Sequence, residues 1–483
     1  PVNMAWQGWG VHSRAGNYLA FDYAYNILQS VEQDAIVFTN GDNDTFPVWY
    51  LQDVAGIRRD VRLVNLSLGQ TTWYIEQLKN QAPFGEDVSP KIPLSFSDES
   101  LLVAEDNPKA LSYSFGPAEQ VVIYVEPDVM RQFTTDEALI ANGKMSWSFK
   151  GGDRGQEQDG SKSYFFGVQH KLVKDILVQT KFERPVYFST SVGDPSYADE
   201  FVGLDNYLRL EGLCFRVCPV PQRSFVGEGL DPEIMEQSLM ESIDDDTYFT
   251  EPHYGLKFRN LDGTTPTYFD DVNRNYITSY RNVFYKYATY MLYDRKNPKK
   301  AAEIMARMNQ KLSLDRFPVG IGFEIQMARF FEVCGDSANM RTLADRSLAS
   351  AKLLLSKPEL EQREPRLTEA IRPARVAAEA ALMLSDWEGA KNYYRTFSNG
   401  STSDALLNYT IAEVDIIRLE RTGDLQGALA AAEALRATYS MQSSDSRVQQ
   451  AAMELESKIS ELKAKLTPGS VQVQAVSSAE GAQ

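Results

Sequence analysis

Along the first eighty residues the spacing of apolar positions changes repeatedly. RAGNYLAFDYAYNILQSV (14–31) sets Tyr18, Phe21, Ala24, Tyr25 and Leu28 at helical spacing. AIVFT (35–39) is an unbroken apolar run flanked by turn residues, the pattern of a strand buried on both faces. VWYLQDVAGI (48–57) reads as a short helix, RRDVRLVNLSL (58–68) returns to a strand, and TTWYIEQLKNQ (71–81) reads as a second helix. Strand, loop, helix and strand in so short a span make a βαβ unit, which implies a parallel pair.

The pattern then loosens. Within 83–165, VVIYV (121–125) reads as a strand and KGGDRGQEQDGSKS (150–163) as a solvated loop. HKLVKDILVQTKF (170–182) resumes as a helix, RPVYFSTSV (184–192) as a strand, and LEGLCFRVCPVP (210–221) as one further strand. The expected fold of residues 1–221 is a Rossmann-like α/β layer domain on a parallel sheet. Residues 222–269, with EGLDPE and SIDDDTYFTEPHYG, read as a connecting arm.

From residue 270 the period becomes helical throughout. NRNYITSYRNVFYKYATYMLYDR (273–295) carries one apolar stripe of Tyr280, Phe284, Tyr287 and Met291, which core packing explains. The phrases KNPKKAAEIM, GDSANMRTLA, SDWEGAKNYY and GDLQGALAAA place Asn297, Asp336, Asp386 and Asp424 at equivalent points, spaced 39, 50 and 38. A polar turn residue followed by a helix with a small-residue face is the mark of helix pairs of the tetratricopeptide kind, whose ideal period is about 34. Residues 270–465 are expected to form an all-α, tetratricopeptide-like repeat domain whose concave face suits a peptide, or a bundle that braces the first domain. The tail 466–483 lacks periodicity and reads as disordered.

Composition narrows the classes of function. The 483 residues are 43% hydrophobic with 24 Tyr and 24 Phe, enough for real cores. The formal net charge of −17 sets nucleic-acid partners aside. Cys214, Cys218 and Cys334 give no disulfide framework, since strand geometry holds the first two about 13 Å apart. The three histidines, His12, His170 and His253, lack zinc-ligand spacing. No apolar run reaches the roughly 18 residues of a membrane span, and no GxSxG, P-loop, GxGxxG or HExxH motif occurs. The abrupt start at Pro1 suggests a piece of a longer protein.

The candidate chemistry lies at strand ends. TNGDNDTFP (39–47) leaves a parallel strand and enters a helix, the edge where α/β sheets bind ligands. Asn40, Asp42, Asn43, Asp44 and Thr45 are its candidate ligand-binding residues. Asp42 and Asp44, two apart, could hold Mg²⁺ or Mn²⁺ against a diphosphate, because hard cations prefer carboxylate oxygens. The structural alternative is strong: Asn40-Gly41 is turn chemistry, Asp44 or Thr45 can cap the helix, and Pro47 suits its first turn. His12 and Arg14 precede the first helix and are further candidates. A His12–Asp22 acid/base pair competes with a simple cap at Ser13. Beyond RPVYFSTSV, the residues Tyr197, Asp205, Tyr207 and Arg209 either line a pocket or serve packing and turns.

AIVFTNGDNDTFPVWYLQDVAGIRRDVRLVNLSL, RPVYFSTSV, DNYLRLEGLCFRVCPV and TYFDDVNRNYITSYRNVFYKYA occur in the order seen in the bacterial family called domain of unknown function 2723. The chain resembles that family over about residues 6 to 290, and the family is similar to vertebrate transmembrane protein O-mannosyltransferases. The resemblance implies a multi-pass membrane glycosyltransferase of the lipid-linked-sugar type. This chain would be its soluble C-terminal part, on the periplasmic face of the inner membrane. It would work beside the parent's own N-terminal membrane domain and assist an acceptor protein or peptide. Catalysis would lie in the membrane domain, so no catalytic residue carries over to this chain. The family's GDNDTFP positions fall on Gly41, Asp42, Asn43, Asp44, Thr45, Phe46 and Pro47. A lipid-phosphate donor needs no Asp-x-Asp metal clamp, so the resemblance implies no firm cofactor. Two other readings stay open: an α/β domain that binds sugar or metal itself, and a scaffold of a cell-envelope complex.

Overall fold

The computed structural model describes residues 8, 12–102, 107, 109–157, 160–192, 202–357, 372–398, 404–438 and 446–466. The tail expected to be disordered, from 467 on, and Tyr197 lie outside them. The chain divides into two compact units, Pro1–Pro318 and Val319–Gln483.

The first unit is α/β. It begins with α1 (Leu19–Gln29), β1 (Ile36–Thr39), α2 (Asp42–Asp53), β2 (Arg62–Asn65) and α3 (Thr72–Asn80). Four consecutive residues of β1 are buried, which is why AIVF reads as an apolar run and not as an alternation. β1 pairs in parallel with β2, Ile36 opposite Arg62 and Thr39 opposite Asn65. The loop that looked like a ligand turn is itself the first turn of α2, which starts at Asp42.

Between the two halves of the main sheet lie β3 (Ser114–Gly116), β4 (Glu119–Tyr124), β5 (Lys144–Phe149), β6 (Gly152–Gln156) and β7 (Lys162–Phe166). They form a three-stranded antiparallel sheet, β3-β7-β6, and a two-stranded one, β4-β5. The stretch expected as a solvated loop, 150–163, is largely the hairpin of β6 and β7. Its side chains are mostly exposed, so the polar composition was read correctly, but backbone pairing needs no apolar face.

The main sheet resumes after α4 (Val168–Thr180) with β8 (Val186–Ser189), β9 (Leu208–Glu211), β10 (Cys214–Val217) and β11 (Gly229–Leu230). Its order is β11-β9-β10-β8-β1-β2. β8 joins β1 in parallel, but β10 runs antiparallel to β8 and to β9, so the sheet is mixed where a parallel one was expected. The cause is Gly212. The single strand expected over 210–221 turns back there, with φ at +55°. A Cβ at that position would meet the Ser30 hydroxyl at 2.3 Å. Only glycine fits a left-handed turn against so close a neighbour. Cys214 and Cys218 are buried free thiols.

β2 is the free edge of the sheet, and Tyr74 covers it. The Tyr74 hydroxyl accepts from the Asn65 N–H at 3.0 Å and donates to the Leu63 carbonyl at 3.4 Å. These are the outward groups that would otherwise invite a further strand.

Residues 222–269, expected as an arm, contribute β11, α5 (Pro232–Met240) and a buried run with Leu256, Phe258 and Leu261. That run zips onto a polar seam of α1 at helical spacing. Asp22 holds the Arg259 guanidinium, Asn26 exchanges two 2.8 Å bonds with the Lys257 backbone, and Gln29 bonds the Phe249 carbonyl at 2.9 Å. The polar half of α1 is buried yet satisfied, which the apolar count alone could not reveal. α6 (Asp271–Tyr293) and α7 (Pro298–Lys311) complete this unit, with Tyr280, Phe284 and Tyr287 in its core.

The second unit is all helical among the described residues: α8 (Ile321–Val333), α9 (Ser337–Ser356), α10 (Pro373–Met383), α11 (Trp387–Ser398), α12 (Asp404–Arg421), α13 (Leu425–Thr438) and α14 (Ser446–Leu466). Each helix packs on the next in sequence. Asp336, Asp386 and Asp424 accept the backbone N–H three residues ahead at 3.0, 3.0 and 2.8 Å. Each follows a residue with positive φ: Gly335, Ser385 and Gly423. One left-handed residue ends a helix and the next aspartate caps its successor. No described helix is long and apolar enough to cross a membrane.

Candidate functional site

The loop between β1 and α2 sits at the carboxyl end of the two parallel pairs. Asp44 is its organising residue, only 3% exposed. Its carboxylate accepts from the backbone N–H of Asn40 at 3.1 Å and of Gly41 at 3.0 Å, folding the loop back on itself. It also accepts from the Ser191 hydroxyl at 2.5 Å. Ser191 follows β8, so Asp44 ties together the ends of two neighbouring strands. An aspartate here also satisfies the positive end of α2.

Thr45 is fully buried behind it. Its hydroxyl lies 2.8 Å from that of Thr39 and accepts from the Asn65 side-chain amide at 2.8 Å. Asn65 in turn receives the Leu68 N–H at 2.9 Å. Asn40 is exposed, and its carbonyl accepts from Ser67 at 2.6 Å. Pro47 lies within α2 and has no N–H for the carbonyl of Asn43, and the Tyr276 hydroxyl fills that place at 2.7 Å. Beneath the loop, Tyr23 packs on Tyr276 with ring centres 4.4 Å apart, and burial pushes its phenol up to about 12.

Asp42 and Asn43 point the other way and are exposed. The Asp-x-Asp pair is therefore split between interior and surface. Asp44 spends its oxygens on donors of its own chain, and Asp42 stands alone on the rim. Among the described residues no group of three or more His, Cys, Asp or Glu is arranged to hold a metal ion. Around the rim, Phe46 stacks on Trp49 at 5.5 Å, and Phe46 and Tyr50 are both more than half exposed. The arrangement offers a rigid, acidic and amide-bearing rim beside aromatic surface. It suits docking or hydrogen bonding to a polar partner.

The other candidates stand elsewhere. His12 is exposed, and Asp22, its supposed partner, is held by Arg259 through a buried ion pair. The Arg14 guanidinium lies 5.8 Å from the centre of the Tyr268 ring. The sheet register runs from Arg209 through Arg216 and Tyr187 to Val37, so Arg209 is level with the first half of β1 and not with its end. Tyr207 precedes it and lines a cleft of about 370 Å³ with Asp205 and Lys150. Its hydroxyl donates to the Ser146 carbonyl at 2.8 Å.

Arg209 belongs to a buried charge cluster. Glu211, fully buried, accepts from Arg209 Nε at 2.7 Å and from the Tyr187 hydroxyl at 2.9 Å. Arg216 stands beside it and grips Glu32 with both amino groups. Burial lifts the Glu211 carboxyl above its ordinary value, and the two arginines pull against that rise. Sequence reasoning missed Ser191, Asn65, Ser67 and Tyr276. Ser191 stands at the end of RPVYFSTSV, the strand beyond which the ligand edge was expected, so its position was available. Tyr276 comes from 233 residues away and had no local signal.

Residues 20–137 and 161–234 match the family model described as TMEM260-associated domain 2. The match spans less than half of the chain, and it contains Asp42, Asp44, Ser191, Arg209 and Glu211. No curated protein matches the chain, and no solved structure does.

Proposed function

We propose that this chain is the soluble part of a membrane glycosyltransferase resembling the protein O-mannosyltransferases, and that it serves the enzyme by positioning the acceptor protein. The observation that carries this reading is the match of 20–137 and 161–234 to TMEM260-associated domain 2. The name ties the α/β unit to TMEM260, and the resemblance of the sequence to a protein O-mannosyltransferase-like family supplies the enzyme class proposed here. On this reading the α/β unit is a Rossmann-like layer domain that docks through the Asp42–Asn43 rim and its aromatic neighbours, on the periplasmic side. The capped helices of the second unit act as tetratricopeptide-like repeats that receive the acceptor. On this reading the sugar is transferred in the membrane part, and the rim serves docking.

The test is to express the whole reading frame containing this chain with and without residues 319–466, and to map glycans on envelope proteins by mass spectrometry. Loss of acceptor glycosylation on deletion, with the membrane part still present at normal level, is expected. Unchanged glycosylation would overturn the acceptor role.

A further inference from the structure

Beside the edge strand β2, between α2 and α3, lies a cleft of about 340 Å³ that the Asp44 loop does not use. Its walls are aromatic: Trp49, Trp73, Tyr74 and Phe84. Trp73 is 57% exposed, an unusual placement for an indole. The polar lining includes Arg62 and Ser89, which are 6% and 0% exposed.

Both of these residues are incompletely bonded. Arg62 donates one amino group to the Gln81 carbonyl at 3.2 Å, but its buried Nε has no partner. The Ser89 hydroxyl, also buried, has none. Next to Ser89, the carbonyls of Pro90 and Lys91 take bonds of 3.3 and 3.2 Å from Arg184, whose second amino group is likewise buried and unpartnered. Three donors are thus left open in one neighbourhood, where buried donors are almost always satisfied. Neither arginine forms an ion pair with a described carboxylate. The nearby Glu86 is bound to Lys91 at 2.6 Å. Burial lowers the affinity of both guanidiniums for their protons, and Arg62 lowers Arg184 further, to about 10. Arg62 is buried and Arg184 half-buried close to it, and the acids that reach them, Glu86, Asp34 and Asp60, act at longer range than an ion pair, which leaves both guanidiniums incompletely compensated.

We propose that this cleft binds a small organic oxyanion: a ring-bearing or apolar body against Trp73, Trp49 and Phe84, ending in a phosphate or carboxylate drawn to the Arg62 and Ser89 side of the lining, where the undersatisfied Arg62 guanidinium supplies the charge and Arg184 adds to it from behind. The volume is that of a small-ligand pocket, and aromatic walls with a few convergent polar groups are the usual composition of one. Arginine is the residue that pairs best with either oxyanion.

The experiment titrates the full chain with phenyl phosphate, benzoate, inorganic phosphate and phenol, reading tryptophan fluorescence and heat. Saturable binding of phenyl phosphate or benzoate is expected, at least about tenfold tighter than phenol, the equivalent of one charge-assisted bond. Whichever anion binds tighter identifies the head group. Inorganic phosphate alone is expected to bind more weakly than phenyl phosphate, because it leaves the indoles uncovered. Arg62→Gln should weaken binding about tenfold. Trp73→Ala, an exposed change that leaves the fold intact, should weaken it several-fold and decides the matter if Arg62→Gln does not fold. No saturation by either anion at millimolar concentration, or binding unchanged in Trp73→Ala, would overturn the proposal.

Discussion

The Tyr276 hydroxyl donates to the carbonyl of Asn43 at 2.7 Å, and that carbonyl is the one Pro47 leaves without a helical partner. A tyrosine on α6 thus completes a helix broken locally by proline. Tyr276→Phe should orphan the carbonyl and cost about 1–2 kcal/mol. Pro47→Ala in the same background restores an N–H and should recover part of the loss. A double-mutant cycle on the unfolding midpoint measures this coupling. Strictly additive effects would show that the two residues act independently.

The split of the Asp-x-Asp pair has its own consequence. Asp44→Ala removes the acceptor of two backbone donors and of Ser191, and should destabilise the first unit by about 3 kcal/mol. Asp42→Asn changes only an exposed side chain, so its stability effect should stay within about 0.5 kcal/mol. If the rim docks a partner, Asp42→Asn instead weakens that association. Thermal unfolding of the full chain separates the two variants.

His170 gives the first unit an acid sensitivity. The residue is buried, its Nδ1 accepts from the Gly167 N–H at 3.0 Å, and burial lowers its pKa to about 4. The unfolded chain, near 6.5, binds this proton more readily than the folded one. Stability therefore falls as pH drops from about 6.5 towards 4, and the contribution is fully present only above that window. At pH 4.5 the loss from this residue should be about 2.5 kcal/mol. His170→Gln should unfold with a shallower pH dependence over the same range. Parallel curves for the two proteins would assign the acid sensitivity to carboxylates instead.

Much of the local structure was legible. AIVF and RLVN are short apolar runs, and they form parallel strands because the intervening helix is long enough for a crossover. The aspartate turns at 336, 386 and 424 were visible because a cap is read by its own neighbours. The mixed sheet was not legible. It depends on Gly212 turning left-handed against Ser30, a contact between residues far apart in sequence. The same limit applies to the candidate site. TNGDNDTFP announced a turn and a cap, but the inward aim of Asp44 is decided by Ser191, and that of Asn43's carbonyl by Tyr276. Arg62 gave no signal either: an arginine in a strand reads as a solvated residue until the edge beside it is closed by α3.

The helix caps allow a stability test in the second unit. Asp336→Ala, Asp386→Ala and Asp424→Ala each lose one cap bond and should cost about 1 kcal/mol apiece. Ser385 occupies a left-handed position, φ +64°, where Gly335 and Gly423 stand in the equivalent turns. Ser385→Gly should therefore stabilise this unit, by up to about 1 kcal/mol. Urea unfolding followed by helical circular dichroism provides the measurement. A destabilised Ser385→Gly would mean that its side chain contributes more than the strain it bears.

Arg209 was a binding candidate, and its surroundings make a different demand on it. Glu211 is 0% exposed and lies between two arginines, with Arg209 at 2.5 Å and Arg216 at 3.9 Å. Phe133 lies under both guanidiniums, at 5.7 and 4.7 Å. Removing the shared acid leaves two largely buried cations with less compensation, and such a break costs about 3–5 kcal/mol. Arg216 keeps Glu32, and among the described carboxylates Arg209 keeps the distant Asp231 at 3.7 Å. Glu211→Gln should therefore cost more than Glu32→Gln, whose acid is partly exposed and serves one arginine. Glu211→Leu with Arg209→Met should be milder than Glu211→Leu alone, because an apolar pair needs no counter-charge. Unfolding midpoints of these four variants measure the order. A ligand-binding Arg209 would give the opposite signature: Arg209→Met would leave stability nearly unchanged and abolish an association.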